Sequence, residues 1–325
     1  MTVTPPTLDE INALRHSPVE DLYVTPVLRC PAIEHAAGDG TEIWGKLEFL
    51  QRTGTFKARG ALSNLLQLGD DQLRAGVTAV SAGNHAIATA FAAKAVGTSA
   101  KVVMLGSANP LRIDVCRSYG AEVIIVDDVH EAFDVAKQIE RDEDRFFVHP
   151  FEGHAVATGT GTLGVEICEQ VPSFDAAVIP IGGGGLMAGV SNAIKQLRPD
   201  ARVIGVEPAG ANSMHRSFDA GEPMSIDKVR TIADSLGAPY ALPYSFELCR
   251  NNVDELVEVT DEELRRAMGF LFSRQKFAVE PACAASTAAV LGPLRQQLSG
   301  QRVVLVFCGS NIDWATFADQ AIFEL

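Results

Sequence analysis

Short apolar runs rich in β-branched residues alternate along the chain with longer stretches whose apolar positions recur every three or four residues. The short runs predict β-strands and the longer stretches predict helices. The predicted strands are Val77–Ser81, Lys101–Leu105, Glu122–Val126, Arg145–Val148, Ala176–Ile181, Ala201–Val206 and Val303–Phe307. The predicted helices are Asn84–Ala95, Leu111–Tyr119, Glu131–Arg141, Thr160–Glu169, Leu186–Leu197 and Glu262–Gln275. This alternation predicts an α/β fold with parallel sheets covered by helices on both faces.

Polar and glycine-rich segments directly follow several of these strands. They are Ser81-Ala82-Gly83-Asn84-His85, His149-Pro150, Gly182-Gly183-Gly184-Gly185 and Cys308-Gly309-Ser310-Asn311. Open parallel sheets bind ligands outside the carboxyl ends of their strands. The segments together therefore predict one binding site at that edge.

The run of four glycines suits a phosphate, because glycine lets backbone N–H groups converge and the next helix adds the positive end of its dipole. A flexible turn is the plainer interpretation, although one or two glycines would suffice for a turn. A P-loop is excluded, since Leu186-Met187 follows the run instead of Lys-Ser or Lys-Thr. Gly183, Gly185, Ala188 and Glu207 fit a dinucleotide fingerprint. Pyridoxal phosphate is the third candidate, and it requires a lysine elsewhere.

Composition narrows the class of protein. The 325 residues carry a net charge of −14, which argues against binding to nucleic acid. The six cysteines form no C-x-x-C pair, so neither a zinc site nor a disulfide framework is expected. We expect no membrane segment, because no apolar stretch reaches about 18 residues without interruption. The first ten residues lack the basic and apolar regions of a signal peptide, and we therefore expect a cytoplasmic enzyme.

Lys57 lies in the segment Gly54-Thr55-Phe56-Lys57-Ala58-Arg59-Gly60-Ala61, just before an apolar helical stretch. Most lysines are solvated surface residues, and that interpretation stays open for this one. A helix start repels cations and burial lowers the pKa of an amine, so both effects would favour a neutral, nucleophilic Lys57. Such an amine is what a Schiff base with an aldehyde cofactor needs.

The lysine segment, the Ser81–His85 segment, the glycine run followed by Leu186, and Cys308-Gly309-Ser310-Asn311 occur in the order of one known family. Together they resemble the motifs of the fold-type II (tryptophan synthase beta-like) pyridoxal-phosphate enzymes, in particular the threonine/serine dehydratase and serine racemase family. The resemblance implies a two-lobed, three-layer parallel-sheet fold with the cofactor in the cleft between the lobes. It places residues 1–63 and 148–325 in a large cofactor-binding lobe, and residues 64–147 in a small lobe that carries the substrate-carboxylate loop.

The resemblance also implies roles for individual residues. Lys57 is the expected catalytic residue, holding the cofactor and then removing the α-proton of the substrate. The residues expected to bind pyridoxal 5'-phosphate are Phe56, Lys57, Asn84, Gly182, Gly183, Gly184, Gly185, Leu186, Glu280, Cys308 and Ser310. The residues expected to bind the substrate are Ser81, Ala82, Gly83, Asn84 and His85, although His85 could instead have a structural role. Whether Cys308 or Ser310 faces the pyridine nitrogen stays open.

The chain departs from the family pattern at two places. Ala82 stands where serine racemases carry a second serine that transfers protons, and alanine cannot do so; racemisation is therefore the weaker alternative. The divalent-metal site of that branch matches at Glu207 and Ala211, but Ser213 replaces its aspartate. Losing an anionic ligand weakens the binding of a hard cation, so we expect no metal.

The expected function is elimination of water from a 3-hydroxy amino acid, most simply L-threonine or L-serine, giving a 2-oxo acid and ammonia. A dehydratase for a bulkier or acidic substrate, of the phenylserine or hydroxyaspartate kind, is the alternative on the same scaffold. A nicotinamide-dependent oxidoreductase is the alternative of a different class. The expected partners are a small amino-acid substrate and a second copy of the chain in a homodimer.

Overall fold

The computed structural model describes residues 3–17, 22–38, 40–106 and 108–323. Its strands are β1 (Val27–Arg29), β2 (Glu42–Leu47), β3 (Val77–Val80), β4 (Ala100–Leu105), β5 (Glu122–Val126), β6 (Phe146–Phe147), β7 (Ala176–Pro180), β8 (Arg202–Pro208), β9 (Glu255–Val259) and β10 (Arg302–Phe307). Its α-helices are α1 (Leu8–Arg15), α2 (Pro31–Ala37), α3 (Lys57–Leu65), α4 (Asp70–Ala75), α5 (Asn84–Val96), α6 (Pro110–Ser118), α7 (Val129–Glu143), α8 (His154–Gln170), α9 (Gly185–Leu197), α10 (Ser213–Ala220), α11 (Pro243–Asn252), α12 (Asp261–Phe270), α13 (Pro281–Leu291) and α14 (Trp314–Gln320).

The strands form two sheets. The larger sheet has the order β1-β2-β10-β7-β8-β9, and every pair in it is parallel except β1 with β2. The smaller sheet is wholly parallel, with the order β5-β4-β3-β6. The α/β class and its parallel sheets are thereby confirmed. The lobe boundaries after residues 63 and 147 stay a prediction.

All seven predicted strands are present, with ends displaced by no more than two residues. The pattern missed β1, β2 and β9, for different physical reasons. Strand β1 has only three residues, β2 is interrupted by a glycine at Gly45, and β9 carries glutamates at Glu255 and Glu258. Charged residues and glycine weaken the sequence pattern typical of a strand, whereas pairing with a neighbouring strand stabilises the strand in the folded protein.

Helix α8 begins at His154, six residues before the predicted start. Gly159, directly before the predicted start, lowers helix propensity and interrupts the pattern. Packing requires this glycine, since a Cβ added to it would lie 2.3 Å from the carbonyl oxygen of Arg59. The close approach places α8 directly against α3, the helix that begins with the lysine.

A capping box begins α12. The Thr260 hydroxyl accepts a hydrogen bond from the Glu263 N–H, and the Glu263 carboxylate accepts one from the Thr260 N–H. The helix predicted over Glu262–Gln275 ends early, since α12 passes into a π-helical turn over Leu271–Gln275.

Four ionisable side chains, at most 3% exposed, are buried together between β2, α3 and α8. Glu166 accepts hydrogen bonds from Lys46 at 2.5 Å and from both terminal nitrogens of Arg59 at 2.7 and 2.8 Å. Glu48 accepts two more from Arg59, at 2.7 and 2.8 Å. The two positive charges balance the two negative charges. Arg59 lies in α3, two residues after Lys57. This buried ion network therefore fixes the helix that carries the lysine.

Among the helices of the described ranges, none combines the length and apolar composition that crossing a bilayer requires.

Candidate active site

A small cavity lies at the carboxyl ends of the large-sheet strands. Its lining includes Phe56, Lys57, Asn84, Phe151, Gly182, Gly183, Gly184, Gly185, Leu186, Ser235, Leu236, Glu280 and Cys308. Residues far apart in the sequence thus meet at one place, as the segments after the strands predicted.

Lys57 is the first residue of α3, so its amine lies at the positive end of that helix. The Nζ atom donates a hydrogen bond of 2.6 Å to the carbonyl oxygen of Pro150, and it lies 5.3 Å from the centre of the Phe56 ring. Burial lowers the pKa of Lys57 to about 8, against the opposing influence of Cys308 and Glu280. A substantial fraction of the amine is therefore neutral near pH 7.5, and it is held in one direction by Pro150.

The glycine run is tightly enclosed by protein on its outer side. A Cβ added at Gly183 would lie 2.4 Å from the Phe151 ring, and one at Gly185 would lie 2.6 Å from the Phe151 carbonyl oxygen. Gly184 has a left-handed φ of +91° and precedes the first residue of α9. Thr160 of α8 donates a hydrogen bond of 2.8 Å to the Gly185 carbonyl. These contacts explain why the run is glycine, and they leave its backbone lining the cavity.

Asn84 and Glu280 form a buried polar pair on the opposite side. The Asn84 amide nitrogen donates to the two carboxylate oxygens of Glu280 at 2.8 and 3.1 Å, and to the Ser235 hydroxyl at 3.1 Å. The Asn84 oxygen accepts from the Asn311 amide at 2.8 Å. Burial raises the pKa of Glu280 to about 7, with Arg112 opposing that shift. A carboxyl group that exchanges a proton near neutral pH therefore lines the cavity.

Cys308 lines the cavity directly after β10, whereas Ser310 does not appear among the lining residues. Its hydrogen bond with Cys283, together with burial, raises the pKa of the Cys308 thiol well above its usual range, so it stays protonated. The Ser310 N–H donates instead to the carbonyl oxygen of Gly54, at 3.0 Å. Of the two residues, Cys308 is the one that faces the cavity.

The segment from Ser81 to His85 forms the turn into α5. The Ser81 hydroxyl accepts a hydrogen bond of 3.1 Å from the Gly83 N–H, and Ala82 lines a neighbouring groove instead of the cavity. The His85 Nε2 atom pairs with the Val148 carbonyl oxygen at 2.8 Å, and burial lowers the pKa of His85 to about 3. His85 is thus neutral and tied to the backbone after β6, whereas Asn84 is the residue of this segment that reaches the cavity.

The partly exposed rings of His149, Phe151 and Tyr240 form a contiguous aromatic surface, and Phe151 brings it to the lining of the cavity. The His149 and Phe151 rings meet edge to face at 4.8 Å, and Tyr240 lies 6.1 Å from Phe151. The His149 Nδ1 atom accepts hydrogen bonds from the N–H groups of Phe151 and Glu152, so that its proton is on Nε2. Burial lowers the pKa of His149 to about 4, which agrees with a neutral ring. Pro150, which orients the Lys57 amine, belongs to the same segment.

Glu207 is buried away from this cavity. Its two carboxylate oxygens accept hydrogen bonds from the backbone N–H groups of Met214 and His215, at 2.9 and 2.7 Å. The carboxylate therefore caps the start of α10, which does not support its role as a ribose ligand in the dinucleotide interpretation. Within the described residues, no group of three histidine, cysteine or acidic side chains could hold a metal ion.

The cavity residues fit a phosphorylated aldehyde such as pyridoxal phosphate. An amine of lowered pKa is the group that condenses with an aldehyde, and four consecutive glycines at a helix start are the group that binds a phosphate. Sequence reasoning placed the His149-Pro150 segment at this site but gave it no role. It gave no sign of Ser235 and Leu236, which lie in an irregular stretch without any pattern.

Comparison with known proteins agrees with this geometry. Residues 20–309 match the family model described as pyridoxal-phosphate dependent enzyme. The chain is 54% identical over 317 residues to phenylserine dehydratase of Ralstonia pickettii, covering 98% of this chain and 97% of that protein. It is 40% identical over 275 residues to L-threonine ammonia-lyase of Thermotoga maritima, covering 84% and 68% of the two chains.

The fold also matches solved structures. Maize serine racemase superposes with a TM-score of 0.92 at 30% sequence identity, covering 97% of each chain. A likeness of this extent includes both sheets and the segments that line the cavity.

Proposed function

Because this chain belongs to the family of pyridoxal-phosphate-dependent enzymes, we propose that it eliminates water from 3-hydroxy amino acids, with a preference for those that carry an aryl side chain. The products are a 2-oxo acid and ammonia. Dehydratases and ammonia-lyases among the relatives support the reaction. The aromatic surface that Phe151 brings to the cavity is the observation that carries the aryl preference.

Residues of the cavity would hold the cofactor by three kinds of contact. The Lys57 amine would bind it covalently, the N–H groups of the glycine run would bind its phosphate, and Asn84 and Cys308 would contact its ring. When bound, pyridoxal phosphate withdraws electrons from the substrate Cα and thereby acidifies the Cα proton. Cys308 carries no charge as a protonated thiol, so it does not favour a protonated pyridine ring as a carboxylate would.

The protein side chains then orient the substrate and move its protons. Once the substrate amine replaces it on the cofactor, the free Lys57 Nζ would take the proton from Cα, and Pro150 would hold that amine in place through the 2.6 Å hydrogen bond seen here. The N–H groups at the start of α5, from Gly83 onward, would bind the substrate carboxylate at a positive helix end. Hydroxide is a poor leaving group, so a proton must reach the 3-hydroxyl as the carbon–oxygen bond breaks.

The overall reaction balances without any further reagent. Loss of water from Cα and Cβ gives an enamine, which tautomerises to an imine, and water then hydrolyses the imine to the 2-oxo acid and ammonia. The water that leaves in the first stage is regained in the last. The net change is the conversion of a 3-hydroxy-2-amino acid into a 2-oxo acid and ammonium.

An aryl side chain would pack against Phe151 and Tyr240. The Tyr240 backbone is held rigidly by a short antiparallel bridge to Ser225. Aromatic pairs of this kind contribute about 0.5–1.5 kcal/mol beyond simple burial. The 54% identical relative, whose name specifies phenylserine, supports the same substrate class.

The proposal also covers the lobe boundaries and the association of the chain into a dimer. The small lobe would comprise residues 64–147, which include the whole four-stranded sheet. The chain would act as a homodimer in the cytoplasm, and an exposed cluster of aromatic residues at Phe272, Trp314 and Phe323 supports association. Sedimentation of the 34.7 kDa chain tests the dimer.

The deciding experiment measures 2-oxo acid release from the threo and erythro isomers of phenylserine, from L-threonine and L-serine, and from 3-hydroxyaspartate. We expect the highest kcat/KM with one isomer of phenylserine. Tyr240→Ala should lower that value by about two- to tenfold and change the value for L-serine by less than twofold. Tyr240→Phe, which keeps the ring, is the control. Release from serine and threonine alone would refute the aryl preference.

A further inference from the structure

An open groove of about 810 Å³ runs between the two sheets, next to the cavity described above. Three segments of the chain contribute neighbouring residues to both spaces. Ala82, Asp234 and Pro281 line the groove, while Asn84, Ser235 and Glu280 line the cavity. The three segments therefore form a thin wall between groove and cavity.

Arg112 of α6 lies in this wall and is 7% exposed. Its Nη1 atom donates to the Asp234 carboxylate at 2.5 Å, and its Nε atom donates to the Asn311 carbonyl oxygen at 3.0 Å. Its Nη2 atom lies 3.9 Å from the Glu280 carboxylate. A Cβ added at Gly83 would lie 3.0 Å from Nη1, so the guanidinium also touches the turn into α5. One cation thus joins the small-sheet side of the wall to the large-sheet side.

Asp234 differs from Arg112 in its access to solvent, because its side chain is 57% exposed towards the groove whereas that of Arg112 is 9% exposed. Separating the pair would let water solvate the Asp234 carboxylate. It would leave the Arg112 cation largely buried and in need of a new anionic partner. The next residue, Ser235, accepts the hydrogen bond from Asn84. Movement of Asp234 would therefore also loosen the contact that closes the wall.

We propose that the Arg112–Asp234 pair is an encounter site for zwitterionic amino acids, at which the ligand replaces the internal ion pair and so opens the wall into the cavity. The α-carboxylate takes the place of Asp234 at Arg112, and the α-ammonium group binds the released Asp234. The proposal deepens the proposed function, on whose amino-acid substrate it rests.

The exchange conserves the number of ion pairs only for a ligand that carries both charges. A ligand with an ammonium group alone cannot satisfy the buried cation. A guanidinium also suits a carboxylate in particular, because its planar fork donates two parallel hydrogen bonds. The site would thus favour amino acids over simple amines before either reaches Lys57.

Stopped-flow absorbance of the bound cofactor tests this inference independently of water elimination. L-phenylalanine and 2-phenylethylamine have the same aryl group and the same reactive amine, and neither has a 3-hydroxyl to lose. We expect Arg112→Met to slow the association of L-phenylalanine about tenfold and to change that of 2-phenylethylamine by less than twofold. Arg112→Lys, which keeps the charge, should restore most of the rate. Asp234→Asn, at an exposed position, should slow L-phenylalanine and change 2-phenylethylamine by less than twofold, because only the zwitterion exchanges with the ion pair.

The ion pair of Arg15 with Glu169 is the matched control. It joins an arginine that is 18% exposed to a carboxylate that is 53% exposed, and neither residue lines the groove. Arg15→Met and Glu169→Gln should leave both association rates unchanged. Faster association of both ligands with Arg112→Met would indicate a simple gate and overturn the encounter site. Unchanged rates, or equal slowing of both ligands by Arg112→Met, would overturn it as well.

Discussion

Replacing Glu166 by glutamine tests whether the buried ion network stabilises the helix that carries Lys57. Glu166 accepts three hydrogen bonds, from Lys46 and Arg59, in surroundings where these side chains are 3% exposed or less. The neutral amide leaves two buried cations facing Glu48 alone. Removing one partner of a buried ion pair commonly costs about 3–5 kcal/mol.

The structure sets an upper limit on this cost. Burial already lowers the pKa of Lys46 from its ordinary value of 10.5, so Lys46 can lose its proton when Glu166 no longer compensates the charge. Deprotonating a lysine at pH 7 costs about 1.4 kcal/mol for each unit between pH 7 and 10.5, or about 5 kcal/mol. We therefore expect the free energy of unfolding to fall by about 3–5 kcal/mol at pH 7.

The same reasoning predicts the direction of the pH dependence. With Lys46 neutral in the folded variant and charged in the unfolded chain, the unfolded state binds more protons, so the stability of the variant rises with pH. The difference from wild type should narrow by about 1 kcal/mol per pH unit between pH 7 and 9. Urea unfolding followed by tryptophan fluorescence measures this difference, with Glu169→Gln at the exposed Arg15 ion pair as the control. A loss below 1 kcal/mol, or a loss that does not depend on pH, would refute the reasoning.

Three further predictions concern the cavity itself. The rate at which pyridoxal phosphate attaches to the apo-protein should rise with pH and level off above about 8, because attachment needs the neutral Lys57 amine. Cofactor absorbance measures this rate. A rate that stays constant from pH 6 to 9 would contradict the lowered pKa of Lys57. Gly183→Ala should weaken cofactor binding at least tenfold, because its Cβ would lie 2.4 Å from the Phe151 ring, whereas Gly69→Ala, where nothing lies within 4 Å, should not. Equilibrium dialysis compares the two variants. In the wild-type apo-protein, the free energy of unfolding should fall by about 3 kcal/mol as pH rises from 4.5 through about 7, because the raised pKa of Glu280 means that the folded state binds this proton more tightly than the unfolded chain does. Glu280→Gln should remove this pH dependence. Denaturant unfolding of both proteins at pH 4.5 and 8 checks this, and parallel curves would argue against a titrating Glu280.

Seven strands and the polar segments that follow several of them could be predicted from the sequence. Buried parallel strands are continuous apolar runs, and polar segments lie at their carboxyl ends. The glycine run was found in this way, whereas Lys57 was found from its segment before an apolar helical stretch; both line the cavity. The start of α8 could not be found, since Gly159 serves a close contact with α3 and weakens the local pattern.

Contacts between distant segments were beyond the sequence. The hydrogen bond from Lys57 to Pro150 joins residues 93 positions apart, and the Arg112–Asp234 pair joins residues 122 apart. No local pattern encodes such a distance. The choice between Cys308 and Ser310 likewise depended on the direction in which the chain turns after β10, which only the folded structure gives.

The central claim is that Lys57 holds pyridoxal phosphate in the cavity formed by the glycine run. Borohydride reduction of the holoenzyme, followed by proteolysis and mass spectrometry, tests it most directly. The account predicts a single reduced pyridoxyl-phosphate label on the peptide that contains Lys57, and no label in Lys57→Ala. A label on another lysine of the wild type, or an unchanged label in the variant, would contradict the assignment.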